Sequence, residues 1–169
     1  MAKFRVFREP VVQPQDQSYK IIRLTQGQVT LVDASDYDWL MQWNWQAAGK
    51  EGKLYAVRAY GYQKVYMHRE IVHCESEHLD HWNNDTLDNR RINLRPATPG
   101  QNGANRKKQR DNTSGYKGVS WHKMRNRWCA SAKVNGIRIH IGYYLTKEEA
   151  YAAYCTFARE TWGEFANFG

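Results

Sequence analysis

The run His78-Leu79-Asp80-His81 is followed by a polar loop, WNNDTLDNRR, then Ile92-Asn93-Leu94-Arg95-Pro96-Ala97 and Thr98-Pro99-Gly100-Gln101-Asn102. Asp80 offers a carboxylate and Asn102 a neutral amide oxygen, both hard donors. With waters and phosphate oxygens completing the shell, such a set suits Mg²⁺ or Mn²⁺ better than zinc. His81, beside the carboxylate, can take a proton from water near neutral pH. A metal-held phosphate, a base-activated water and a surface that grips a polyanion together make a phosphodiester hydrolase. Asp80, His81 and Asn102 must then converge from separate turns of the chain. Zinc held by His73, Cys74, His78 and His81 is the alternative, but the sequence has no CxxC or HxxxH pair to support it. Arg90, Arg91 and Arg95 either clamp phosphates or pair with Asp85 and Asp88.

Charge is unevenly spread. The 169 residues carry a net charge of +8, with 41% hydrophobic and 14% aromatic side chains, enough to bury a core. Between Asn105 and Arg138 lie ten basic residues (Arg106, Lys107, Lys108, Arg110, Lys117, Lys123, Arg125, Arg127, Lys133, Arg138) against a single acid, Asp111. That one-signed block is the footprint of a surface that neutralises phosphates and releases counterions. No apolar run is long enough to span a membrane, and the start, MAKFRVFREP, lacks an apolar secretory stretch. Three separated cysteines, Cys74, Cys129 and Cys155, suit a reducing compartment, so the expected location is the cytoplasm. Cys129 and Cys155 are read as small buried side chains or surface bystanders.

These residues need elements to hold them. Tyr19–Leu24 and Gln28–Val32 around Gln26-Gly27 read as a hairpin, followed by a short helix from Ser35 with Trp39, Leu40 and Trp43 on its apolar side. Leu54–Tyr60 and Gln63–His68 alternate across Gly61 as a second hairpin. Trp39, Trp43, Trp45, Tyr55, Tyr60 and Tyr66 are expected mostly to fill the core of this domain. Thr98, Pro99 and Gln101 form a capped helix start that puts Asn102 in the first turn. Lys107–Ser114 has no hydrophobic period and reads as a basic linker. Three strands follow, Tyr116–His122, Arg127–Val134 and Ile137–Tyr143, the last two joined by Asn135-Gly136. A helix capped by Thr146 and Glu149 then places Ala150, Ala153, Tyr154 and Phe157 on one face, with Gly163 past its end. Alternation turns Trp128, Ala130, Ala132 and Val134 toward that helix. Arg127, Ser131 and Lys133 face outward, with Ser120 and His122 on the first strand and Arg138 and His140 on the third.

From Met67-His68-Arg69 through LDHWNNDTLDNRRINLRPATPGQNGANR, the sequence resembles HNH endonucleases of the phage and intron-encoded type, which have a ββα-metal fold. The resemblance implies Asp80 and Asn102 as metal ligands, His81 as general base, and Asn93, twelve positions on, as the residue holding the loop that orients it. The third position, Asn102, is Asn rather than the His of the family name. His68 matches a position commonly His, read as structural or phosphate-facing, and Arg95 is a second candidate for facing phosphate. GYKGVSW and the strands after it, through WGEFA, resemble the APETALA/ethylene-response type of DNA-binding domain, which reads the major groove with its sheet. The expected architecture is α+β. A nuclease domain at 1–106 contains the ββα-metal motif at about 68–106, a linker spans 107–114, and 115–169 forms a three-stranded antiparallel sheet with one packed helix.

The resulting expectation is a Mg²⁺- or Mn²⁺-dependent endonuclease acting on double-stranded DNA at a recognised site, as a phage homing enzyme does. The DNA-gripping set is Arg106, Lys107, Lys108, Arg110, Lys117, Ser120, His122, Arg125, Arg127, Ser131, Lys133, Arg138 and His140. One site per chain is compatible with a nicking monomer or a homodimer. The rivals are a non-catalytic DNA-binding regulator and a non-specific nuclease.

Overall fold

The computed structural model describes residues 10–50, 52–73 and 78–169, so Cys74 lies outside the described residues. The chain divides into two compact units, Met1–Pro96 and Ala97–Gly169. Among the described residues no helix is long and apolar enough to cross a membrane.

In the first unit, β1 (Tyr19–Arg23) and β2 (Val29–Asp33) form an antiparallel hairpin. Gln26 and Gly27 both adopt positive φ, as the tight connection between twisted strands requires. Thr30 and Val32 point inward from β2 and are fully buried. Helix α1 (Ala34–Leu40) follows. A three-stranded antiparallel sheet comes next, β3 (Gln46–Lys50), β4 (Lys53–Tyr60) and β5 (Gln63–Tyr66). The sequence pattern did not reveal β3. Nor does the second hairpin run on to His68, because β5 stops at Tyr66 and α2 (Met67–Val72) begins. Met67 and Ile71, four positions apart, are both fully buried, and burial of each side chain contributes about 1.5–3 kcal/mol. That gain outweighs continuing the strand.

The core combines Ile22, Leu24, Val32, Leu40, Met67, Ile71 and Leu94 with Trp45 and two alanines. It is mainly aliphatic, which corrects the expectation of an aromatic core. Of the six aromatics, Trp45 is buried and Trp39 packs against the cluster, while Trp43 and Tyr60 are exposed. The unit closes with β6 (Leu79–His81) and β7 (Leu94–Pro96), an antiparallel pair that sets Asp80 opposite Arg95 and His81 opposite Leu94.

The second unit begins with α3 (Pro99–Asn105), whose capping box joins Thr98 and Gln101. Its sheet has the order β10-β9-β8, from β8 (Val119–His122), β9 (Arg127–Val134) and β10 (Ile137–Tyr144). Helix α4 (Lys147–Trp162), capped by Thr146 and Glu149, covers one face through Ala150, Tyr154, Cys155 and Ala158. Cys129 and Cys155 are both buried thiols.

The boundary at Pro96 differs from the expected 107–114 linker, because these residues belong to the second unit. Ser114 is buried there, and its hydroxyl meets the carbonyls of Tyr116 and Val119. Asn112 donates to Tyr116 O and accepts from Gly115 N. Short polar side chains thus satisfy a turn that carries no hydrophobic period.

Gly118 combines a φ of +75° with a position where an added Cβ would lie 2.2 Å from the Tyr154 ring. Gly118→Ala is expected to lower stability by about 2–4 kcal/mol, from strain plus overpacking. Gly136→Ala, at a positive φ with open space around it, should lose only about 1 kcal/mol. Urea unfolding of the two variants checks the difference.

Candidate functional site

The site grows from the loop between β6 and β7. A ten-residue polar stretch against an aliphatic core must satisfy its own backbone groups, and two buried asparagines contribute to this. Asn93 accepts from Asn83 N through Oδ1 (2.9 Å) and donates through Nδ2 to Asp88 O (2.8 Å). Trp82 N in turn donates to Asn93 O. The loop is also strapped to neighbouring strands. Leu31 N donates to Leu87 O, Asn89 N donates to Leu31 O (2.8 Å), and the Thr86 hydroxyl donates to Leu54 O.

Arginines neutralise the carboxylates around the loop. Arg90 forks onto Asp88, Arg91 onto Asp36, and Arg95 approaches Asp80 Oδ2 with both Nε (3.1 Å) and Nη2 (2.9 Å). Burial is the largest influence and would raise Asp88 and Asp36, but hydrogen bonds and charge attraction from their arginines, with hydrogen bonds from Asn83 and Trp39, together hold both carboxyls below the usual range. Of the two sequence readings for these arginines, carboxylate pairing therefore describes the structure. The partners are Asp88, Asp36 and Asp80, with Asp85 not among them. Arg95, read as phosphate-facing, turns its guanidinium onto Asp80.

His81 is buried, with Nε2 3.3 Å from Asn89 Oδ1. Asn89 Nδ2 donates to Thr30 Oγ1 (2.7 Å), which donates to Leu87 O (2.6 Å). Burial lowers the His81 pKa, and Asn89 with the nearby Asp80, Asp85 and Asp88 acts in the opposite sense. Burial thus favours the neutral form of the ring. His68 is buried too, its ring 5.1 Å from that of His81 and flanked by Tyr55 and Tyr66. Burial, with His81 and Arg69 nearby, pushes it down to about 3. This neutral ring in an aromatic cluster takes the structural reading of His68 and leaves the phosphate-facing one behind.

The first unit thus brings together Asp80, His81, Asn93 and Arg95, while Asn102 lies in the second, in the first turn of α3. No group of three or more His, Cys, Asp or Glu side chains forms a metal cage among the described residues. The Asp80 carboxylate in the first unit and the Asn102 amide oxygen in the second are each donors of the hard type.

In the second unit the register puts Ser120 opposite Cys129, His122 opposite Arg127, His140 opposite Ser131 and Arg138 opposite Lys133. These side chains share the face away from α4. Arg138 donates to the Ser131 hydroxyl. A groove of about 670 Å³ is bordered by Gln109, Asn112, Ser120, Ser131, Lys133 and Arg138. Arg106, Lys107, Lys108, Arg110, Arg125, Arg127 and Lys133 are exposed, although Lys108 Nζ also meets Gly115 O.

One residue joins the outer face and another leaves it. A bulge between His140 and Gly142 reverses the alternation of β10, so Tyr143 pairs with Cys129 and joins the outer face. Its ring lies 4.4 Å from His140, 5.1 Å from His122 and 4.8 Å from the Arg125 guanidinium. Lys117, assigned to DNA binding, instead donates to the carbonyls of Ala104 (2.6 Å), Arg106 (2.6 Å) and Asn167 (2.8 Å). Burial lowers it to about 8. It is a clamp for α3 and the C-terminal segment.

No protein-family model and no solved structure matches this chain. Over 139 residues it is 34% identical to a protein of Acanthamoeba polyphaga mimivirus named as an uncharacterized HNH endonuclease, covering 78% of this chain and 66% of that protein. Over 91 residues it is 35% identical to Protein 3.8 of Escherichia phage T7, covering 54% of this chain and 74% of the phage protein. The chain belongs to one family with Protein 3.8, and the mimivirus protein, which carries the HNH endonuclease name, is a further similar protein. The chain spans just under two thirds of the mimivirus protein's length.

Lys117→Met keeps the aliphatic stem and loses three charge-assisted hydrogen bonds. It should cost about 2–3 kcal/mol in thermal unfolding while leaving nucleic-acid affinity at a fixed folded fraction unchanged. Asn93→Ala orphans Asn83 N–H and Asp88 C=O. Hydrogen exchange at the loop amides should accelerate by one to two orders of magnitude, corresponding to about 1–3 kcal/mol.

Proposed function

We propose that this chain is a metal-dependent HNH-type endonuclease that hydrolyses phosphodiester bonds of double-stranded DNA at a recognised site, as a phage homing endonuclease. The observation that carries the reading is a buried His81 directly beside Asp80, on a strand pair whose loop is held by Asn93 and by bonds to β2 and β4. Identity to the mimivirus HNH relative supports the same reading. Asp80 and Asn102 would hold Mg²⁺ or Mn²⁺, which supplies positive charge to the scissile phosphate and the departing 3′ oxygen. His81 takes the proton of the attacking water on its lone-pair nitrogen. Arg95 orients the Asp80 carboxylate through Nε and Nη2, and Asn93 keeps the loop from shifting the base.

The second unit supplies affinity and register. Arg106, Lys107, Arg110, Arg125 and Arg127 meet the phosphate backbone, while Ser120, His122, Ser131, Lys133, Arg138, His140 and Tyr143 lie toward the groove edges of the bases. A three-stranded sheet with a helix behind it and cations in front suits a surface that follows the backbone and reads base edges.

Plasmid incubated with Mg²⁺ should be cut by the wild type and left intact by His81→Ala, with duplex affinity retained. Asp80→Asn and Asn102→Ala should lose turnover at least a hundredfold without a large change in binding. Uncut plasmid with tight duplex binding would identify a DNA-binding regulator, and scattered cut sites a non-specific nuclease. The triple variant Arg127→Ala/Lys133→Ala/Arg138→Ala should weaken binding. It should also reduce the slope of log affinity against log salt by about one for each phosphate no longer neutralised.

A further inference from the structure

The N-terminal hairpin reaches the site through buried polar atoms. Thr30 on β2 and Asn89 in the loop are fully buried and 59 positions apart, yet their side chains are hydrogen-bonded. The direction of each bond in this set follows from its chemistry. Leu87 O only accepts, so the Thr30 hydroxyl donates its single proton there. Thr30 Oγ1 is then left as an acceptor toward Asn89, which must present Nδ2 to it. The Asn89 carboxamide is thereby oriented with Oδ1 toward His81, and an oxygen that only accepts requires a proton on His81 Nε2. A neutral imidazole protonated at Nε2 carries its lone pair on Nδ1.

We infer that Thr30 and Asn89 are positioning residues that fix His81 in the Nε2-protonated tautomer and so determine which ring nitrogen serves as the base. This rests on the nuclease reading of His81. Without the Thr30 hydroxyl the Asn89 amide loses its reason to point one way. Rotated by half a turn, it offers N–H to the ring and favours the other tautomer, with the lone pair on Nε2 and already engaged by that N–H. Backbone bonds reinforce the arrangement, since Leu31 N meets Leu87 O and Asn89 N meets Leu31 O. The hairpin thus orients the base as well as contributing to the core.

The test uses the full chain with Thr30→Val, which keeps shape and removes the hydroxyl, and Thr30→Ser, which keeps the hydroxyl. Imidazole ¹⁵N shifts measured near neutral pH without metal should give a single Nε2-protonated His81 in the wild type and in Thr30→Ser. In Thr30→Val they should give tautomer-averaged shifts. Plasmid cleavage by Thr30→Val should fall about ten- to a hundredfold in kcat, with KM and duplex Kd within about twofold, and Thr30→Ser should recover the rate. Asn89→Leu should lose at least as much; if it does not fold, Thr30→Val alone decides. The inference is overturned if the wild type carries its proton on Nδ1, if Thr30→Val keeps pure Nε2 protonation, or if its rate equals that of the wild type. A His81→Ala enzyme that still cuts would instead overturn the nuclease reading, whatever the tautomer. Loss of cleavage in both Thr30 variants with an unchanged tautomer would mean a purely structural role and would also overturn it.

Discussion

A carboxamide buried without water must find partners for both ends, and once it has them it can no longer rotate. The site of this protein depends on that constraint. Asn93 uses it to close the loop on itself, between Asn83 N and Asp88 O. Asn89 uses it to join the loop to Thr30 on one side and to His81 on the other. Each unsatisfied end would cost about 1–3 kcal/mol, so the folded state admits one arrangement of these amides. Histidine orientation follows from the same matching of donors and acceptors.

Charge is handled differently in the two units. Around the loop, Arg90, Arg91 and Arg95 are each turned onto a carboxylate, and the local field is nearly balanced. Those pairs position groups, since a partly buried guanidinium fork fixes geometry more than it attracts distant ions. In the second unit the cations around β8, β9 and β10 are exposed and meet few acids. They set up a field that draws in a polyanion and is screened by salt. Lys117 breaks the pattern by turning inward onto three carbonyls, so membership of a basic run does not assign a side chain to the surface.

The bulge in β10 applies the same lesson to alternation. Ile137, Ile139 and Ile141 suggest that Tyr143 belongs with the helix-facing side chains. One extra residue between His140 and Gly142 reverses the parity, and the tyrosine joins two histidines and an arginine on the outer face. Gly142 suits this place because an added Cβ would lie 2.7 Å from the Tyr144 hydroxyl. Nothing in a two-residue repeat announces where it slips.

Short-range physics made a good part of this molecule readable. Both capping boxes, the turns at Gln26-Gly27 and Asn135-Gly136, the three-stranded sheet with its covering helix, and the outward set from Ser120 to His140 follow from interactions within a few residues. The switch from strand to helix at Met67, the strand β3, the inward turns of His68 and Lys117 and the Thr30–Asn89–His81 relay were decided only when distant segments packed. A turn is fixed by its own dihedral preferences, whereas the partner of a buried polar group depends on which segments close around it.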